Sequence, residues 1–110
     1  MTDVPIPGPL RIDSRQDGDV TVVALDGELD LASAPELERE LVRAEGDGPR
    51  RIVIDLGRLR FMDSTGLQSL LRARERATTN GYELALRRGP HQVQRVFELT
   101  KTVDAFAFED

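Results

Sequence analysis

The sequence predicts an α/β domain with a mostly parallel open sheet, an N-terminal strand pair and three or more helices. Three observations carry this expectation. Segments with the period of a strand alternate with segments of helical period, the pattern of crossover helices joining parallel strands. The run Ile52-Val53-Ile54-Asp55-Leu56 is too continuously aliphatic for a strand with one wet face. That run feeds the stretch Phe61-Met62-Asp63-Ser64-Thr65-Gly66-Leu67, whose small polar residues open a helical period at Leu67, Leu70 and Leu71.

In chain order, residues 1–9 hold three prolines and a glycine and read as a flexible arm, leaving residues 10–110 as the domain. Leu10 to Gln16 alternates as a half-buried strand, Asp17-Gly18-Asp19 is turn chemistry, and Val20 to Leu25 is β-branched and apolar. Asp26 to Asp30 then reads as a short acidic loop. Ser33-Ala34-Pro35-Glu36 starts a helix, with Ser33 as cap and Glu36 closing a capping box. Leu37, Leu41 and Ala44 form its buried stripe, and Gly46 and Gly48 end it. Arg51 to Leu56 is the central strand, covered on both faces. A second helix runs from about Ser64 to Thr78, its late Arg72, Arg74 and Arg76 placed to favour the helix dipole, and Asn80-Gly81 stops it. Tyr82 to Leu86 is a strand, Gly89-Pro90 starts a helix with Val93, Val96 and Phe97 on one face, and Val103 to Phe108 fits an edge strand.

At 110 residues the chain is long enough for one core and too short for two. Apolar residues make up 39% and charged residues 32%, as in an ordinary soluble domain, and a cytoplasmic location is expected. The absence of cysteine excludes disulfides, thiolate catalysis and thiolate zinc sites. A formal charge of −5 argues against non-specific nucleic-acid binding and against an anionic membrane surface. No segment approaches the roughly 18 apolar residues of a membrane span.

The acidic loop invites a calcium test. Counted from Asp26, the twelve-residue calcium register wants glycine where Leu31 stands and glutamate where Leu37 stands, so the metal reading fails. His91, the only histidine, opens a helix and has no nucleophile elbow to serve; a phosphate loop and a dinucleotide fingerprint are likewise missing. No enzyme and no cofactor are therefore expected. Arg58/Arg60 and Arg87/Arg88 lack interleaved aromatics and read as solvated.

Ser64 stands out by elimination of its ordinary task. Serine commonly caps helices. If Asp63 caps instead, Met62 and Leu67 fall on the two positions of a hydrophobic staple, which a Ser64 cap would lose. Ser64 is then left in the first turn with its hydroxyl outward. A phosphate there would carry about −1.5 to −2 charges. The helix N-terminus would stabilise it by roughly 0.3–1 kcal/mol. A partner docked on the same rim would have to bury that dianion beside the Asp63 carboxylate, so binding would be lost while the fold survives.

These residues carry a family resemblance. Gly27-Glu28-Leu29-Asp30 before a helix with Ala34-Pro35, the strand Ile52–Leu56, the corner Asp63-Ser64-Thr65-Gly66-Leu67 and Arg95-Val96-Phe97-Glu98-Leu99-Thr100 resemble stand-alone STAS domains of the bacterial anti-sigma factor antagonist type. The resemblance spans about Leu10 to the end and implies a single STAS domain. It implies that the unphosphorylated chain binds an anti-sigma factor that is also a serine kinase and so frees a sigma factor. It implies phosphorylation at Ser64, a PP2C-type phosphatase that reverses it, and a partner surface of Asp30, Ser33, Met62, Asp63, Ser64, Thr65 and Gly66. No metal, nucleic-acid or membrane contact is implied, and a monomer or weak dimer is expected. STAS domains also serve as accessory subunits of transporters and as scaffold components of stress-sensing complexes, which are the alternative readings. Two departures stand out. Gln68 replaces a small residue, with an expected effect on helix packing. The sequence ends at Asp110 where many members continue into a C-terminal helix, so an exposed sheet edge is expected there.

Overall fold

The computed structural model describes residues 9–109; the expected arm over residues 1–9 falls almost wholly outside them. Five strands form one sheet in the order β1-β2-β3-β4-β5, with β1 (Arg11–Asp17) antiparallel to β2 (Val20–Leu29). β3 (Arg51–Met62), β4 (Glu83–Arg87) and β5 (Ala107–Glu109) continue it in parallel. The crossovers are α1 (Ala34–Glu45), α2 (Ser64–Asn80) and α3 (His91–Leu99). Strand alternation sends Val23, Leu25, Ile52, Ile54, Leu56 and Leu86 into one core with the buried residues of the helices.

The opposite face is covered differently from what its aliphatic sequence suggests. Val22, Val53 and Ala85 form a second small cluster that contains no helical residue. Val53 is nonetheless only 2% exposed. A ladder of charged side chains crosses the same face, two positions to either side of Val53 in the strand register. Arg51 bonds Glu83 beside it at 2.9 Å and Glu109, four positions further along the sheet, at 2.5 Å. Arg87 bonds Glu109 at 2.8 Å and approaches Asp55 at 3.7 Å. To meet, Arg51 and Glu109 must lie flat along the face between them, with their apolar stems over the small residues.

Several local expectations change. β2 does not stop at Leu25: it pairs with β3 as far as Leu29, through register shifts on either side of Gly27, so only Asp30 of the acidic run begins a loop. Gly27 permits this. Its φ is +119°, and a side chain there would meet the Pro9 carbonyl oxygen at 2.3 Å. β3 likewise continues past Leu56 to Met62, burying Leu59 and Met62. The capping box at Ser33 does not form. Ser33 already has helical angles (φ −99°, ψ −17°), and an N-cap side chain needs an extended backbone to reach the orphan amides. α2 runs to Asn80 and closes on left-handed Gly81, so the arginines lie before its last turn. Arg72 and Arg76 turn instead to α1, where they pair with Glu38 and Glu45. Tyr82 donates to the same Glu45 at 2.6 Å, and burial, then that bond, raises its phenol above the ordinary range. The expected last strand splits into a short 3₁₀ turn (Val103–Ala105) and β5, because Phe106 and Phe108 both pack edge-on against Phe97, with centroids 5.5 and 5.3 Å away. Gln68 is exposed and leaves helix packing unaffected.

Candidate functional site

The site is built where β2 and β3 end side by side. Leu29 and Met62 are register partners, both buried, so the chain leaves the sheet at the same level in two neighbouring parallel strands. The Asp63 amide donates to the Leu29 carbonyl at 3.2 Å, one rung beyond the ladder. Two connections, the loop Asp30 to Ser33 and the turn at Asp63 that opens α2, are thereby held together at the carboxyl edge of the sheet, where ligands of open α/β folds bind.

Asp63 is the N-cap of α2. It is extended (φ −102°, ψ −175°) and its Oδ1 accepts from the Gly66 amide at 2.8 Å. Met62 and Leu67, on either side of it, belong to one buried core cluster, as the staple registry requires. Ser64 is the first helical residue and exposed, and no hydrogen bond among the described residues engages its hydroxyl. A hydroxyl with no base of its own is suited to receive a group from another protein's active site.

The β2 loop is organised by Asp30 and Ser33. The Asp30 Oδ1 accepts from the Ala32 and Ser33 amides, each at 3.0 Å, and so closes a turn in the loop ahead of α1. The Ser33 hydroxyl donates to the Glu28 carbonyl at 2.7 Å and accepts from the Asp30 amide at 3.0 Å. It is 5% exposed, which makes it a clamp within the loop.

The residues expected to form the surface therefore divide by depth. Ser64 is exposed, and Asp30, Asp63 and Thr65 are half-buried. Ser33, Met62 and Gly66 are buried, so they act on such a surface by holding its shape. Gly66 is pressed against β2: a Cβ there would stand 2.4 Å from the Leu29 oxygen. Sequence reasoning missed Leu31 and Phe61, which are 72% and 45% exposed and line one depression with Glu28, Asp30, Ala32 and Asp63. Phe61 could have been found by alternation, since an inward Met62 forces it outward; the neighbouring Leu31 carries no such signal. His91 lies exposed at the start of α3, as its sequence position implied. Among the described residues, no group of three or more His, Cys, Asp or Glu is placed to hold a metal ion, and no helix is long and apolar enough to cross a membrane.

This architecture is shared with known proteins. The STAS-domain family profile matches residues 11–110. The anti-sigma-B factor antagonist of Staphylococcus aureus (strain NCTC 8325 / PS 47) is 33% identical over 95 residues, covering 86% of this chain and 88% of that protein. The crystal structure of an anti-sigma factor antagonist from Mycobacterium paratuberculosis superposes with a TM-score of 0.79 at 27% identity, covering 91% of this chain and 85% of that one. SpoIIAA, at 20% identity, shares the fold in its unphosphorylated form (TM-score 0.77, covering 91% and 89% of the two chains). The phosphorylated form of SpoIIAA from Bacillus shares it with a TM-score of 0.69, also at 20% identity and covering 91% and 92%. The chain is a STAS domain and belongs to the family of anti-sigma factor antagonists.

Proposed function

We propose that this chain is the antagonist in a partner switch: unphosphorylated, it binds an anti-sigma factor that is also a serine kinase and so releases a sigma factor. The kinase transfers the γ-phosphoryl group of ATP to the Ser64 hydroxyl, and a PP2C-type phosphatase removes it. The observation that carries this reading is Ser64 itself, exposed in the first turn of α2 beside an Asp63 that already does the capping. The rim of Asp30, Asp63 and Thr65 is the contact surface, with Ser33, Met62 and Gly66 holding its two loops in register. A switch of this kind needs no rearrangement of the fold. The phosphate sits at the positive end of a helix, which tolerates it. A partner covering the rim would have to desolvate a dianion next to a carboxylate, a cost that a single added ion pair does not offset.

The test is incubation of the chain with ATP and its serine-kinase anti-sigma factor, read by intact mass and peptide mapping. One phosphate on Ser64 is expected, and label on Thr65 alone, or on no residue, would sink the assignment. Ser64→Ala should stay bound to the kinase in the presence of ATP while Ser64→Asp binds weakly. Equal binding of the two would remove the switch.

A further inference from the structure

We infer that Leu31 and Phe61 form an apolar anchor beside Ser64, and that it receives an apolar side chain of the partner flanked by a lysine or arginine. This deepens the partner-switch reading and rests on it. Leu31 comes from the β2 loop and Phe61 from the end of β3, and the two line one shallow depression of about 580 Å³. Scattered exposed apolar residues are ordinary on a surface. Two from different segments sharing one concavity, with Ala32 in its wall, make a patch that a partner side chain can fill. The strand register explains the placement. Glu28 pairs with Phe61 while Leu29 pairs with Met62, so the inward pair fixes the core and the alternate pair faces out.

The charge around the anchor specifies the occupant. Glu28, Asp30 and Asp63 line the same depression, and no lysine or arginine does. Asp30 and Asp63 each spend Oδ1 on loop amides, and no hydrogen bond among the described residues takes either Oδ2. Arg60, the nearest cation in sequence, leans toward Asp26 at 3.9 Å. An acidic partner would thus meet carboxylates with nothing to pair them, whereas a cation beside an apolar side chain satisfies both halves of the site.

The experiment measures binding of the purified serine-kinase anti-sigma factor by titration calorimetry with ADP present. The variants are Leu31→Ala, Phe61→Ala, Glu28→Gln and, as control, Leu99→Ala. Leu99 is 70% exposed but lies at the far end of α3 from Gln92, which reaches the Arg60 carbonyl. Leu31→Ala and Phe61→Ala should each weaken binding by about tenfold or more, as central anchors do. Glu28→Gln should flatten the salt dependence of the affinity, and Leu99→Ala should match wild type. If wild type binds and the two anchor variants bind equally well, the anchor is refuted while the partner switch stands. If wild type does not bind, the partner-switch reading falls and takes the anchor with it. Sedimentation of the isolated chain separates a further occupant: a dimer that Phe61→Ala dissolves would assign the patch to self-association and overturn the proposal.

Discussion

Gly66 lies so close to Leu29 that even one methyl group cannot be placed between them. A Cβ on Gly66 would stand 2.4 Å from the Leu29 carbonyl oxygen and 2.9 Å from its Cγ. That oxygen also accepts the Asp63 amide, so the contact fixes the end of β2, the cap of α2 and the spacing of the two loops together. The obstacle is backbone, which cannot rotate away as a flexible side chain would.

Gly66→Ala is therefore expected to destabilise the domain by about 1–3 kcal/mol, the usual range for overpacking a tight site. Urea denaturation followed by circular dichroism measures it. An unchanged midpoint would show that the loops separate easily and that the rim is not held rigid.

Removal of the cap tests the helix start without overpacking. Asp63→Ala should lower stability by about 1 kcal/mol, and Asp63→Asn should recover most of that, because an amide oxygen also accepts from the Gly66 N–H. Thermal melts of the two variants decide the matter. Equal losses would mean that the charge, and not the hydrogen bond, carries the effect.

The helix-free face predicts a pH dependence. Arg87, then Arg51, hold the Glu109 carboxyl below its ordinary value of 4.5. A depressed folded value means that the stabilisation is complete above 4.5 and is lost as pH falls through the folded value. Urea midpoints measured downward from pH 6 should fall in the acid range for wild type and fall less steeply for Glu109→Gln. Parallel curves would show that these ion pairs are screened to insignificance, as many surface pairs are.

Tyr82 gives the alkaline counterpart and, as the sole tyrosine, can be read alone. Burial, then its bond to Glu45, raises the phenol above 10.0. A raised folded value means that the contribution is intact below 10.0 and is lost only as pH climbs toward the folded value. Ultraviolet titration of the native chain should show no phenolate at the pH where the urea-unfolded chain is half ionised. Coincident curves would mean that the seam between α1 and α2 opens to solvent.

By itself the sequence determined the element order, the strand and helix periods, and the registry that gives the cap to Asp63 and leaves Ser64 without a structural task. Those are local facts: a period of two or 3.6 and the offsets of a staple are written in neighbouring residues. The tertiary structure decided the rest. It extended β2 and β3 to a common end, because strands keep pairing wherever a bulge at Gly27 lets them bend. It took Ser33 out of its expected capping role, because Ser33 was drawn into helical angles and its hydroxyl onto the Glu28 carbonyl. It set the ion pairs of Arg51 with Glu83 and Glu109, and no helical residue, on the face that holds Val53. It also joined Leu31 to Phe61, thirty residues apart in the chain, because adjacency across a parallel sheet depends on register, and register is a property of the assembled strands.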